Sequence, residues 1–207
     1  MLSIDRIRSV LPLEPGRIDL PAKGRRAAVA AILTPELDLI LMQRAVYEGD
    51  PWSGQLSFPG GRVEAGETVL EGAVREVREE LGFQLLPSQL LGELDEVRTM
   101  GPLPPLVIRP FVFALDESPI LDTNEEVARV HRLALQQLLA NEGRGPMRHP
   151  WRDQELVLPR VDFDTVRLWG LTLHMVDDLL HRLDGRGRGL ARVQGAPATP
   201  WDAERTE

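Results

Sequence analysis

The sequence lacks cysteine and is poor in aromatic residues. None of its 207 residues is a cysteine, and phenylalanine, tryptophan and tyrosine together make up 5%. The absence of thiols excludes disulfide bonds and thiolate metal sites, and it fits the cytoplasmic location that we expect. No apolar run approaches the roughly 20 residues of a membrane-spanning helix, and the N-terminus MLSIDRIRSV lacks the apolar segment of a signal peptide.

The chain is acidic, with a formal net charge of −8 at pH 7. This charge argues against nonspecific binding of nucleic acid, but it leaves open a nucleotide substrate whose phosphates are bound through a metal ion. A hydrophobic content of 43% is ample for a core. We predict an N-terminal helix and linker at 1–24, one domain at 25–184, and a flexible tail at 185–207 that is rich in glycine, proline and charged residues.

Residues 61–83, GRVEAGETVLEGAVREVREELGF, carry the most informative pattern. Thr68 and Glu71 have the spacing of a capping box, and Gly82 suits the left-handed end of a helix. The spacing predicts a helix over residues 68–81. Its apolar positions form one stripe that should face a core, at Leu70, Ala73, Val74, Val77 and Leu81.

Glu76, Glu79 and Glu80 share another side of this helix. Carboxylates at these spacings repel one another and weaken an isolated helix. A hard cation such as Mg²⁺, which takes oxygen ligands, would relieve the repulsion. The alternative is a solvated acidic face neutralised by Arg75 and Arg78.

The same stretch resembles the signature of the Nudix hydrolase family. Gly61, Glu67 and the run at 75–82 match its fixed positions, and Phe83 stands where an aliphatic residue is more usual. The resemblance implies an α/β protein with the Nudix fold, an α/β/α sandwich with a central mixed β-sheet. It also implies metal-dependent cleavage of a diphosphate that is linked to another group.

The resemblance further implies a role for each matched position. Glu79 would be either a metal ligand or the base for the attacking water, and Arg75 with Glu67 would orient the carboxylates. The cofactor would be Mg²⁺ or Mn²⁺. Its implied ligands are the side chains of Glu76, Glu79 and Glu80 and the carbonyl of Gly61.

A second resemblance covers the segment before the helix. Residues 41–45, LMQRA, and 54–61, GQLSFPGG, look like the extra motif of the coenzyme A pyrophosphatase branch of the family. That motif carries a second arginine where this chain has Gly49 and Asp50. Candidate substrate contacts are Arg44 for a phosphate, Trp52 as a lid or stacking residue, Phe58 and Gly60; for Arg44 and Trp52 a plain structural role is the alternative.

The remaining pattern predicts a sheet with flanking helices. One strand is expected to begin at Ala27, and its neighbour is expected to end at Arg44. Further strands are expected at 90–97 (one strand or a bent pair), 106–115, 127–133 and 155–159. Helices are expected at 2–11, 134–141 and 165–183, and His149 should lie in a loop. The last helix should pack on the sheet through Val166, Trp169, Leu173, Val176 and Leu180. Glu126 precedes a strand and is either an extra metal ligand or base, or part of a solvated turn.

The predicted function is hydrolysis of coenzyme A or acyl-coenzyme A to 3′,5′-ADP and 4′-phosphopantetheine, as the branch resemblance implies. The missing second arginine keeps open a Nudix hydrolase of ADP-ribose or another nucleoside diphosphate derivative. A nucleotide-binding module without turnover is disfavoured, because every glutamate of the signature is present. The expected partner is a small nucleotide-type molecule, with no nucleic acid and no membrane, and homodimer formation is left open.

Overall fold

The computed structural model describes residues 2–11, 15–18, 24–50, 52–99, 105–151, 154–163 and 165–184. The helices are α1 (Ile4–Val10), α2 (Val69–Leu81), α3 (Leu135–Leu139) and α4 (Gly170–Asp184). The strands are β1 (Arg25–Leu33), β2 (Asp38–Arg44), β3 (Leu56–Ser57), β4 (Gly60–Arg62), β5 (Leu90–Glu93), β6 (Val97–Arg98), β7 (Leu106–Ala114), β8 (Val127–Ala134), β9 (Arg144–Trp151), β10 (Gln154–Phe163) and β11 (Val166–Trp169). The predicted tail at 185–207 lies outside the described residues.

Strand β1 is the centre of the main sheet. It pairs in parallel with β7 and antiparallel with β2 and β4. The strand order is β3-β2-β1-β7-β5, with β8 beside β2 and β6 beside β7. Among the described strands, β1 and β7 pair in parallel and all other pairs are antiparallel, so the sheet is mixed as predicted. The predicted bent pair at 90–97 is confirmed as β5 and β6.

Alternate side chains of β1 serve two hydrophobic cores. Ala28, Ala30 and Ile32 pack under α2, whereas the odd-numbered residues from Ala27 to Leu33 belong to the core that contains α4. The alanines leave little bulk above either face, so helices can approach the sheet closely on both sides. The predicted α/β/α sandwich is therefore confirmed. Within the described residues, no helix is long and apolar enough to cross a membrane.

Helix α2 follows its sequence pattern closely. Thr68 caps its first turn in a capping box with Glu71, and Gly82 ends it with φ +78° in the left-handed region. Ala73, Val77 and Leu81 are fully buried against the sheet. The other two residues of the predicted stripe, Leu70 and Val74, are partly buried against the same core.

The prediction of one helix over 165–183 is wrong in its first turn. Val166 and Trp169 belong to β11, which pairs antiparallel with β10, and α4 begins only at Gly170. Gly170 has φ +67°, a conformation that interrupts a helix. Leu173, Val176 and Leu180 do pack in the core as predicted.

The segment before β11 forms more sheet than predicted. A short strand was expected at 155–159, followed by a short strand or loop at 159–163. Instead, β9 and β10 pair along almost their whole length and make a three-stranded sheet with β11. Prolines at 146 and 150 concealed β9, but an edge strand tolerates residues without an N–H donor. His149 lies in β9 rather than in a loop, with its ring centroid 4.8 Å from that of Trp169.

Candidate metal and diphosphate site

The glycine pair at the start of β4 brings backbone and helix together. Gly60 lies opposite Val29 of β1, and Gly61 lies opposite Ala28. A Cβ atom at Gly60 would stand 2.2 Å from the Ala28 carbonyl oxygen, and one at Gly61 would stand 2.4 Å from Glu76 Oε1. At Gly60 the clash is with backbone, so only glycine fits there, whereas at Gly61 a larger residue would push the Glu76 carboxylate aside. The backbone of β4 therefore lies directly against the carboxylates of α2.

Arg75 forms hydrogen bonds with several carboxylates on the acidic face of α2. Its Nε and Nη2 atoms donate to the two carboxylate oxygens of Glu67, at 3.1 and 2.9 Å. Its Nη1 donates to Glu76 at 3.0 Å and to Glu79 at 2.9 Å. Hydrogen bonding to Glu67 is the main cause that raises the pKa of Arg75, and the same bond lowers the pKa of Glu67. The structure thus brings together four of the residues singled out in the sequence.

Glu80 is the buried member of the acidic face, with 2% of its surface exposed. Its Oε2 atom accepts a hydrogen bond of 2.7 Å from the Gly60 N–H. Burial raises the pKa of Glu80 to about 8; the charges of Glu76 and Glu126 add to the rise, while the Gly60 N–H and Arg44 oppose it. Gly60, predicted as a substrate contact, therefore uses its N–H to hold Glu80.

Glu76 has an environment similar to that of Glu80. Burial raises its pKa, the charges of Glu79 and Glu126 add to the rise, and Arg75 opposes it. Glu126 is exposed, yet it lies near enough to affect both carboxylates. Glu76, Glu80 and Glu126 thus lie close enough together for their negative charges to repel one another.

The loop before β8 is tied to the end of α2. The Asp122 N–H donates to the Leu81 carbonyl at 3.0 Å, and the Asn124 N–H donates to the Glu80 carbonyl at 3.3 Å. The Asn124 side chain in turn accepts from the Glu126 N–H at 2.9 Å. These hydrogen bonds hold the loop so that Glu126 lies near the acidic site. Sequence reasoning did not identify Asn124, which opens the turn at 125–126, a position where asparagine is common.

Arg44 lies on the other side of the site, at the end of β2. Its Nη2 atom donates to Asp50 at 3.0 Å, and its Nε atom is buried with no hydrogen-bond partner among the described residues. The effect of Arg44 on the pKa of Glu80 places the two groups near each other. Trp52 follows in the same loop and is 37% exposed, so its predicted stacking role stays a prediction.

Phe58 departs from its predicted place. Its side chain is 1% exposed and belongs to the core on the α4 side, so it offers a substrate no surface. Successive side chains of a strand point to opposite faces of the sheet. Leu56 and Phe58 therefore share one face, and Ser57 between them faces the α2 side. The Ser57 Oγ atom is buried without a hydrogen-bond partner in the described part of the chain. Sequence reasoning missed this residue.

The residues fit a divalent cation by chemical type rather than by their present arrangement. Across the described residues, no group of three or more acidic, histidine or cysteine side chains is disposed to hold a metal ion. Arg75 instead holds Glu76 and Glu79. The donors are nevertheless the carboxylates that Mg²⁺ and Mn²⁺ prefer, and burial and mutual repulsion disfavour their charged forms without a cation. Binding would require Glu76 or Glu79 to release Arg75.

The buried carboxylate gives the protein without metal an unusual pH dependence. The pKa of Glu80 is about 8 in the folded state against 4.5 as its ordinary value, so the folded state binds the proton more tightly. The contribution of this group to stability is then full below about pH 4.5 and is lost as the pH rises to about 8, by roughly 1 to 4 kcal/mol. Urea unfolding in EDTA at pH 5 and pH 8 should show this loss in the wild type and much less of it in Glu80→Gln. Equal pH dependence in the two proteins would contradict the assignment.

Comparison with known proteins agrees with this site and fold. A family model described as the NUDIX domain matches residues 24–154. The chain belongs to the Nudix family, and its sandwich is the Nudix fold. The MutT protein from Methanosarcina mazei Go1 has the same fold, with a TM-score of 0.54 and 18% identity, covering 81% of this chain and 97% of that one.

Two curated relatives are more similar in sequence but match over short segments. An ADP-ribose pyrophosphatase of Methanocaldococcus jannaschii is 40% identical over 65 residues, which cover 31% of this chain and 37% of that protein. An 8-oxo-dGTP diphosphatase of Haemophilus influenzae is 38% identical over 61 residues, which cover 30% of this chain and 44% of that protein. The chain thus matches less than half the length of each of these relatives.

Proposed function

We propose that the chain is a metal-dependent Nudix pyrophosphatase that hydrolyses a nucleoside diphosphate linked to a second group. The observation that carries the proposal is the buried carboxylate of Glu80, held by the Gly60 N–H beside Glu76. A helix built only for stability gains nothing from burying one acid beside two others. A site for Mg²⁺ or Mn²⁺ and a diphosphate gives this arrangement a purpose.

Each residue of the site has a chemical role in this proposal. Glu76 and Glu80, with Glu79 and the Gly61 carbonyl, would hold the cation, which supplies a water of lowered pKa and neutralises phosphate charge when bound. Arg75, anchored by Glu67, orients the carboxylates through its bonds to Glu76 and Glu79.

Proton transfer falls to a carboxylate at the edge of the site. Glu79 or Glu126 takes a proton from the attacking water while the oxygen of that water bonds to one phosphorus. The bridging P–O bond breaks, and the leaving phosphate keeps the electron pair. In this proposal Arg44 neutralises charge on a phosphate. Two phosphomonoesters result.

Two observations bear on the second group of the substrate. The similarity to an ADP-ribose pyrophosphatase supports ADP-ribose or a related nucleoside diphosphate sugar. The motifs at 41–45 and 54–61 support coenzyme A instead. We rank ADP-ribose first and coenzyme A second.

Product analysis separates these candidates. The purified chain would be incubated with Mg²⁺ or Mn²⁺ and ADP-ribose, coenzyme A, acyl-coenzyme A, NADH or 8-oxo-dGTP, and the products would be separated by chromatography. AMP and ribose 5-phosphate from ADP-ribose would support the first substrate, and adenosine 3′,5′-bisphosphate from coenzyme A would support the second. Nucleotide binding without turnover of any of them would indicate a binding module and overturn the proposal.

A further inference from the structure

The ion pair between Arg44 and Asp50 differs from the other arginine pair of the site. The two carboxylate oxygens of Asp50 have different partners. Oδ2 accepts a hydrogen bond from Arg44 Nη2 at 3.0 Å, and Oδ1 accepts one from the Trp52 N–H at 3.0 Å. Glu67, by contrast, gives both oxygens to Arg75. Single hydrogen bonds between charged groups are weaker than bidentate ones, so Arg44 is held much less firmly than Arg75.

Arg44 also has hydrogen-bonding capacity to spare. Its Nε atom has no partner among the described residues, although Nε and Nη2 lie on the same edge of a guanidinium group. The side chains of Arg44 and Asp50 are 26% and 18% exposed, so a ligand can reach the pair. A phosphate can offer two oxygens to that edge, whereas Asp50 offers one.

The loop that carries Asp50 does not depend on the ion pair for its shape. The Gly54 N–H donates to the Arg44 carbonyl, and the Arg44 N–H donates to the Gln55 carbonyl. The Tyr47 hydroxyl donates to the Glu125 carbonyl at 3.0 Å, which ties the loop to the loop of Glu126. None of these hydrogen bonds involves the side chain of Arg44 or Asp50, so none has to break when the two side chains separate.

We propose that Asp50 competes with a substrate phosphate for the Arg44 guanidinium and thereby limits the affinity for that phosphate. In the protein without substrate, Asp50 occupies Nη2 and neutralises the charge of Arg44. A phosphate bound beside Glu80 displaces Asp50 and takes both Nε and Nη2. The inference rests on the proposed function for the presence of a diphosphate at this site, and it adds that Asp50 weakens binding of every ligand whose phosphate reaches Arg44.

Direct binding tests this competition without turnover. The probe is α,β-methylene-ADP in the presence of Mg²⁺, and its Kd is measured by calorimetry. Asp50→Asn removes the charge but keeps Oδ1 as acceptor for the Trp52 N–H, so the loop should keep its shape. We expect it to bind the probe about three- to tenfold more tightly than the wild type, because one charge-assisted bond no longer has to be broken.

Two further variants separate competition from a general effect of charge. Glu48→Gln removes the same charge from an exposed position of the same loop, and its Kd should equal that of the wild type. In an Arg44→Ala background, Asp50→Asn should no longer tighten binding, because the contested guanidinium is gone. A gain that persists in that background, or an equal gain in Glu48→Gln, would overturn the inference.

The remaining outcomes distinguish this inference from the proposed function. Equal or weaker binding by Asp50→Asn would show that Asp50 positions Arg44 instead of competing for it, and would overturn the inference while turnover could still be observed. Failure of all these proteins to bind the probe would also overturn it. Tighter binding through Arg44 combined with no hydrolysis of any diphosphate would support the inference and remove the proposed function.

Discussion

Replacement of Glu80 by glutamine is expected to lower kcat by roughly 100-fold or more with each substrate that the wild type hydrolyses. A ligand carboxylate of a catalytic cation contributes several kcal/mol to stabilising the charge of the transition state, and each 1.36 kcal/mol corresponds to a factor of about ten in rate. Glutamine has the shape of glutamate and can still accept the Gly60 hydrogen bond. The variant should therefore keep the fold while it loses the charge.

The matched control for this experiment is Glu71→Gln. Glu71 lies on the same helix, where its side chain accepts from the Thr68 N–H in the capping box, and the glutamine amide oxygen can replace it there. We expect turnover of this control to remain close to that of the wild type. Near wild-type turnover in Glu80→Gln, with circular dichroism unchanged, would remove Glu80 from the catalytic site.

Replacement of Glu96 by alanine is expected to cost about 2 to 4 kcal/mol of the free energy of unfolding, since the two arginines that lose their partner are 30% and 22% exposed and water solvates part of their charge. The Glu96 side chain has no exposed surface, and its Oε1 atom accepts from Arg26 at 2.9 Å and from Arg109 Nη2 at 2.7 Å. Its Oε2 atom accepts from the Ile18 N–H at 2.8 Å. Removal of one partner of a buried ion pair leaves uncompensated charge, here two neighbouring guanidinium groups.

Urea unfolding of Glu96→Ala against Glu93→Ala measures this effect. Glu93 lies on the preceding strand and pairs with Arg17, but both side chains are partly exposed, at 27% and 40%. Such a surface pair contributes about 1 kcal/mol or less. If the two variants lose similar stability, the burial of Glu96 does not have the energetic weight that we give it.

The Glu96 cluster also bears on the basic residues near the start of β1. Arg26 is committed to Glu96, on the β7 side of the strand, whereas Gly61 and the acidic site lie on the β4 side. One carboxylate thus joins β1, β7 and the N-terminal segment at Ile18. We attribute to Arg26 a structural role at this junction, in contrast to Arg44, whose Nε atom has no hydrogen-bond partner in the part of the chain that the structure describes.

The acidic face of α2 combines an outer part that is neutralised by Arg75 with an inner part that is buried. Arg75 does neutralise Glu76 and Glu79, as a solvated acidic face would require. Glu80, however, is turned into the protein against Gly60 and is far from solvated. Arg75 thus bridges the two outer acids while the inner one stays buried, and it occupies the carboxylates that the proposed cation would bind.

Helix α2 and the character of its faces were determined by the sequence alone. Its capping box, its glycine end and its 3.6-residue apolar stripe are interactions between residues close in the chain, and local sequence is sufficient to specify them. The same locality puts Glu76, Glu79 and Glu80 on one side. Most strands of the sheet could also be predicted, because they are apolar runs separated by turn residues, whereas their mixed arrangement was expected only from the resemblance to the Nudix family.

Only the tertiary structure decided what surrounds those glutamates. The burial of Glu80 depends on β4 pairing with β1, and the pairing of Arg44 with Asp50 depends on the path of a loop. The strand at 166–169 likewise exists because β10 lies beside it, although the same residues also fit a helical stripe. These features arise from contacts between distant parts of the chain, and a local pattern contains no information about which distant partner a residue will meet.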